Sequence, residues 1–350
     1  MGSAEMREAP GLDMRKTLGL VILTAAALGA QTADSSEAAL TAAISARPRD
    51  PAAHSRYALF LQSHGRGAEA LAHFRTALDL DRNNPANAYN LALALLAAEQ
   101  PAEALAVLDQ HPAASGDHFA LRGSVLLTLG RFPEAAAALR RAVALDPNNP
   151  DSLYDLVVTL LKTGHDREAA GMVARAQRRF PRVAKIHAAA GMSAYHDGRN
   201  AEAVKAYEAA VKLEPQAADL HAALGDVYAA TGDLARAEAA YARSLALDAS
   251  AAEVHLKSGR NLMKLDRAAD AERAFFRALE RDPANAGANF ELGKLAAARG
   301  DHAGAVARLE RAVAASPALK EAWYQLSLSY RRAGREQDAA AALETFRRLP

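Results

Sequence analysis

Apolar residues recur along most of this chain at spacings of three and four, broken at regular intervals by short polar turns. Between Ala218 and Ala251, Leu220, Leu224, Val227 and Tyr228 form one helical stripe, Gly232 ends it, and Leu234, Ala237, Tyr241 and Leu245 form a second. The spacing predicts two antiparallel helices joined by a tight turn. Gly225 and Ala237 are small where the helices approach, because a larger side chain would force them apart. A single pair of this kind cannot bury both of its faces, so the pattern requires neighbours.

Those neighbours are present. Ala135, Ala169, Ala203, Ala237, Ala271, Ala305 and Ala339 follow one another at intervals of 34 residues. Gly130, Gly164, Gly198, Gly232, Gly300 and Gly334 run five residues ahead of them, with Asp266 in the remaining slot. Pro147, Pro181, Pro215, Pro283 and Pro317 come twelve residues after, where a residue that cannot continue a helix marks the passage to the next unit. Ala70 and Ala104 keep the interval, but Ala104 to Ala135 is 31, so a kink or packing defect is expected at His111 to Gly116. Stacked units bury each other's faces and give a one-dimensional solenoid.

These residues resemble the tetratricopeptide repeat, W-x2-L-G-x2-Y followed by A, F and P. The last unit matches best, with Trp323, Leu326, Ser327 and Tyr330 in the first helix, Gly334 at the turn and Ala339 in the second helix. Elsewhere the Trp slot holds His54, Ala88, Phe119, Leu153, His187, His221, His255 or Asn289. The resemblance covers nine repeats, starting at Pro51, Pro85, Gly116, Pro150, Ala184, Ala218, Ala252, Ala286 and Lys320 and filling residues 51–349. Residues 34–50, with Ser36, Leu40, Ala43 and Pro48 in second-helix positions, read as an N-terminal capping helix. The resemblance implies an all-α fold, a right-handed superhelical α-solenoid of tandem helix-turn-helix repeats, and a protein-binding scaffold.

The resemblance also implies where a partner sits. In the family the first helices line the concave face, and contacts come from their second, fifth, sixth, ninth, twelfth and thirteenth positions. Repeats two to five supply Tyr89, Asn90, Leu93, Leu96, Leu127, Tyr154, Val158, Leu161, Met192 and Tyr195, an apolar groove with phenolic tips suited to a protein or peptide segment. Repeats seven to nine supply Lys257, Arg260, Lys264, Lys294, Arg331 and Arg332, a basic end suited to an acidic segment. From Ala252 to Pro350 there are 17 Lys plus Arg against 13 Asp plus Glu. None of the ninth positions is Asn, so the clamp that holds chaperone C-termini in this family is not expected.

Composition narrows the function classes. Lys plus Arg total 42 and Asp plus Glu 41, a net charge of +1 that argues against a nucleic-acid partner. The absence of Cys excludes disulfide scaffolds, thiolate metal sites and cysteine nucleophiles. His187, His221 and His255 share one slot at the repeat interval, but stacked repeats hold equivalent positions too far apart for common ligation, and a half-buried histidine in an aromatic slot is the expected role. No metalloprotease helix, nucleotide-phosphate loop or nucleophile elbow occurs. No catalytic site, metal or cofactor is expected.

At the other end, Met14 to Ala30 runs from two cations through an apolar stretch to small residues, the three regions of a secretory signal peptide, with Met1 to Asp13 as a non-structural extension. The apolar stretch is shorter than the roughly 20 residues of a membrane-spanning helix, so no stable span is expected after cleavage and the mature chain is expected to be periplasmic or secreted. The expected function is an exported, non-enzymatic scaffold binding a protein segment on its concave face. The rivals are an assembly factor of an envelope machine, such as a pilus, secretion or exopolysaccharide apparatus, and a regulatory arm of a glycosyltransferase system. If the leader is real, N-terminal sequencing of protein recovered from the cell envelope will find a chain that starts after Gly29 or Ala30. Cytosolic protein that retains Met14 to Ala30 would overturn the expectation of export.

Overall fold

Helix starts are written into the chain by capping residues. Ser36, Asp50, Asn84, Ser115 and Asn149 each accept a hydrogen bond from a backbone N–H two or three residues on. Pro51, Pro85 and Pro150 follow three of these caps at the first helical position, where no N–H is missed. The computed structural model describes residues 36–350 and contains, among them, nineteen α-helices and no strand. The leader and the extension before it lie outside the described residues, as do the first two residues of the capping segment.

The chain divides into two units, one ending at Leu213 and one running from Glu214 to Pro350. In the first, α1 (Glu37–Ala46) precedes five helix pairs. They are α2 (Pro51–Ser63) with α3 (Gly67–Leu80), α4 (Pro85–Ala97) with α5 (Pro101–Gln110), and α6 (Gly116–Thr128) with α7 (Phe132–Leu145). Then come α8 (Pro150–Lys162) with α9 (Asp166–Arg179) and α10 (Ala184–His196) with α11 (Asn200–Leu213). The second unit holds four pairs, α12 (Ala218–Ala230) with α13 (Leu234–Leu247) and α14 (Ala252–Lys264) with α15 (Ala268–Arg281). Its last two are α16 (Ala286–Ala298) with α17 (His302–Ala315) and α18 (Lys320–Arg332) with α19 (Glu336–Arg348). Each unit is an all-α stack of repeated hairpins, and the first helix of every pair begins where the sequence spacing predicts.

Helix α1 closes the first unit by polar contacts. Glu37 accepts from Tyr57 Oη at 2.8 Å and from Arg66 at 2.5 Å, and Arg66 also pairs with Glu69. The guanidinium and the phenol hold the Glu37 carboxyl below its usual range. The irregularity expected at His111 to Gly116 takes the form of a shortened helix. α5 has 10 residues where α3 and α7 have 14, and His111 ends it with its Nδ1 against Arg82 O at 3.0 Å.

Inside every repeat the turn takes one form. The second residue after the first helix has a positive φ, and the next N–H reaches back five residues to a helix carbonyl, as Arg66 N does to Leu61 O at 2.9 Å. Glycine supplies the left-handed residue in seven repeats, Asp266 in one as the sequence indicates, and Glu99, which the sequence pattern passes over, in the short repeat. Both acidic residues hold φ near 58° without a glycine's freedom.

Packing within a hairpin follows from one missing atom. A Cβ on Gly225 would stand 2.6 Å from the ring of Tyr241, which is 2% exposed and fixed by a hydrogen bond from its Oη to Asp226 at 2.9 Å. Gly191 against Tyr207 and Gly259 against Phe275 repeat the arrangement. An alanine in an open helix position raises stability by about 1 kcal/mol over glycine, whereas here it must displace an immobile ring. We therefore expect Gly225→Ala to lower stability by about 1–3 kcal/mol in urea unfolding. Unchanged or increased stability would show that the helices are free to separate.

Candidate functional site

The first helices of the first unit bring together residues from four consecutive repeats. α4 supplies Tyr89 and Leu93, α6 supplies Asp117, Ser124 and Leu127, α8 supplies Asp151 and Asp155, and α10 supplies Lys185. They line a cleft of about 140 Å³. Its wall is apolar and its floor is acidic.

Electrostatics distinguishes the floor residues. Lys185 Nζ donates to Asp151 Oδ1 at 2.5 Å, which neutralises Asp151 in a half-open position. Asp155, one helical turn further into the cleft, receives only the Ser124 hydroxyl at 3.3 Å. Burial pushes the Asp155 carboxyl up to about 6; Lys185 opposes that rise, Asp151 adds to it, and the Ser124 bond offsets part of it. Across the cleft, burial raises the Tyr89 phenol above its usual value, and the nearby Asp117 charge adds to the effect.

The expected groove residues divide into two sets. Tyr89 and Leu93 line the cleft, and Asn90 and Tyr195 are half-buried outside it. Tyr154, Val158 and Met192 are buried, at 3%, 8% and 3% exposure. Tyr154 Oη lies 3.9 Å from Met192 Sδ, so this pair joins α8 to α10 and offers no open face to a partner. The phenolic tip expected to reach water at Tyr154 is consumed by repeat packing. Conversely, Asp117, Asp151 and Lys185 occupy second positions, Asp155 a sixth and Ser124 a ninth. The register that selected the apolar residues also held these polar ones, and a choice by hydrophobicity passed them over.

In the second unit the expected basic end carries internal partners. Lys257 Nζ donates to Asp226 Oδ2 at 2.8 Å, the carboxylate that also accepts from Tyr241. Arg260 and Lys294 converge on Glu291, at 3.0 and 2.9 Å, and Lys294 lies 5.2 Å from the Phe290 ring centroid. Lys264 and Arg331 are exposed. Arg332 is exposed as well, so three of the six cations are committed to carboxylates on the same face.

The recurring histidines have a structural occupation. The Nε2 atoms of His54, His187, His221 and His255 lie 3.0 to 3.3 Å from the carbonyl oxygen six residues earlier, in the turn between repeats. Trp323 Nε1 donates to Pro317 O at 2.9 Å in the same way, and Asn289 Nδ2 to Pro283 O at 3.4 Å. To donate, each imidazole must carry its proton on Nε2. Among the described residues no group of three or more His, Cys, Asp or Glu is placed to hold a metal.

Asp155 ties stability to pH with a definite sign. Its carboxyl is raised from 3.8 in the folded chain, so folding binds a proton between that value and about 6. Its contribution to stability falls as pH rises through this window and stays low above it. Asp155→Asn should therefore raise the melting temperature near neutrality and leave it little changed at the acidic end, read from melting curves of both proteins across the window. An equal shift at every pH would show that Asp155 is ionised as it would be in water.

Comparison with known proteins matches the repeat architecture. Models described as tetratricopeptide repeat match residues 61–123 and 126–192, residues 26–88, 256–320 and 299–349, and residues 218–250. A model described as TPR repeat matches residues 193–232. No curated protein matches the sequence. Among solved structures, a tetratricopeptide repeat protein from Parabacteroides merdae is 15% identical with a TM-score of 0.57, over 66% of this chain and 93% of its own. The Cut9-Hcn1 hetero-tetramer of APC/C gives 16% identity and a TM-score of 0.54, over 85% of this chain and 66% of that one. At these identities the likeness concerns the fold alone.

Proposed function

The chain belongs to the tetratricopeptide repeat family, whose members are generally interaction scaffolds without catalysis, and from that premise we propose that it is an exported, non-enzymatic scaffold whose first-helix cleft holds an extended protein segment. The observation that carries this reading is the cleft itself, assembled by Tyr89, Leu93, Leu127 and Asp155 from three successive first helices. An isolated acidic patch on one helix would be an ordinary solvated face. A floor and wall drawn from neighbouring repeats make a site whose length follows the stacking direction, as an extended chain requires.

The chemistry of the cleft selects the segment. Half-buried Tyr89 offers area to an apolar side chain, backed by the buried Leu93 and Leu127, and the phenol adds a polar tip. Asp155 and Asp117 suit a lysine or arginine beside that side chain, because a cation arriving at Asp155 relieves the penalty on its ionised form. An acidic segment at Lys257, Arg260 and Lys294 would first have to displace Asp226 and Glu291. For that reason the partner's basic residue in the first unit takes precedence over an acidic residue in the second. The periplasm or cell envelope is the proposed compartment, on the order of the residues in Met14 to Ala30. Among the described residues no helix is long and apolar enough to cross a membrane.

The test uses the mature full-length chain and a panel of short peptides pairing an apolar residue with Lys, Glu or Ala. Peptides with Lys should bind most tightly, and their affinity should rise as pH increases through about 6 and Asp155 ionises. Tyr89→Ala and Asp155→Ala should each weaken the selected peptide by about tenfold, a loss of about 1.4 kcal/mol, while Lys257→Ala and Arg260→Ala leave it unchanged. Binding that prefers Glu, or that responds only to the second-unit substitutions, would remove the cleft from the site.

A further inference from the structure

A second surface lies in the first unit, away from the cleft, on α7, α8 and α9. Arg175, Arg178 and Arg179 project from α9, Arg182 follows it, and all four are exposed. No Asp or Glu occurs in the sequence between Glu168 and Asp197. Several arginines elsewhere in this unit meet carboxylates, as Arg75 does Glu103 and Arg140 does Glu168. Arg179 donates to the Asn148 side chain, and among the described residues no carboxylate lies within ion-pair distance of any of the four.

Beside these cations is a hollow of about 640 Å³ with an apolar wall of Val143, Pro147, Leu153, Met172 and Ala176, rimmed by Arg175, Arg178 and Arg179. Its origin is a change in the repeat. Leu153 occupies the slot that holds His54, His187 and Trp323 in other repeats, where a ring covers the turn and donates to the carbonyl six residues back. Pro147 is that sixth residue here. Leucine lacks the breadth of the Trp323 indole and carries no N–H, so it leaves space above Pro147 and sends no donor to its carbonyl.

We propose that this hollow docks an acidic protein segment bearing a tryptophan. The indole takes the place that the slot's own ring fills in other repeats, with its N–H toward the Pro147 carbonyl. Flanking Glu or Asp residues meet guanidinium groups whose forked donors match carboxylates. The site does not depend on the cleft, and its ligand has the opposite charge.

The probe is a labelled peptide of one Trp flanked by Glu residues, titrated into the mature full-length chain and followed by fluorescence anisotropy. The same peptide with Ala for Trp, a Lys-flanked version, vesicles of anionic phosphatidylglycerol and a single-stranded oligonucleotide serve as alternatives. The Glu-flanked Trp peptide should bind at least about tenfold more tightly than its Ala and Lys versions, and binding should weaken as salt shortens the range of exposed charges. Arg175→Glu combined with Arg178→Glu should weaken it by a similar factor. Leu153→Trp should fill the hollow from within and abolish binding while raising the melting temperature, and Asp155→Asn should have no effect. Equal binding of the Ala peptide would reduce the surface to charge alone and overturn the proposal, as would binding of vesicles or oligonucleotide without the Trp peptide. The peptide comparison needs no altered protein, so it decides the matter even where Leu153→Trp disturbs folding.

Discussion

The closeness of the two helices within each hairpin is the constraint from which the rest follows. It requires the residue at the eighth position of the first helix to match the one that faces it from the second. Where the facing residue is Tyr207, Tyr241 or Phe275 the eighth is glycine, and there is no room for a further carbon. Val157 and Val173 occupy the corresponding places in the fourth repeat, sharing the volume more evenly. Gly123 against Leu139 and Gly293 against Leu309 are equally closed to a further carbon, as close-packed interiors demand. A repeated helix separation gives a repeated hairpin, and repeated hairpins bring first helices side by side. The cleft from Tyr89 to Lys185 exists because that separation does not drift.

Hairpin order, helix starts and the short repeat were legible because they rest on local rules that one residue can express. A capping Asn149, a proline after it and a glycine at a left-handed turn each declare themselves in the sequence. Glu99 escaped notice because the turn tolerates a strained residue when the hydrogen bond from Gln100 N to Leu95 O and packing hold it, and nothing about glutamate advertises that conformation. The site was less legible for a different reason. Position within the repeat tells which face a side chain occupies, but not whether the next repeat covers it. Tyr154 and Tyr89 are equivalent in register, yet one is closed over by Met192 and the other lines open space.

Charge was misleading in the same way. A surplus of cations in the last three repeats says nothing of where the carboxylates stand, and Asp226 and Glu291 stand among them. The cations that lack such partners, around Arg178, belong to a stretch that net charge does not single out. Their isolation depends on the absence of acidic residues from Ala169 to His196, a feature of arrangement and not of totals.

The histidines that bind the turn carbonyls carry a consequence for acidity. Nε2 holds its proton in the donating tautomer and also in the imidazolium, so the bond from His187 to Pro181 or from His221 to Pro215 is available in either state. Protonation alters the charge of these joints without cutting them. Burial works against it at His255, whose imidazole is held below its usual range. A tryptophan in the slot, as at Trp323, makes the same bond but cannot change its charge. Histidine in the slot, as at His187 and His221, therefore gives a fastener that stays shut whether or not its ring carries a charge.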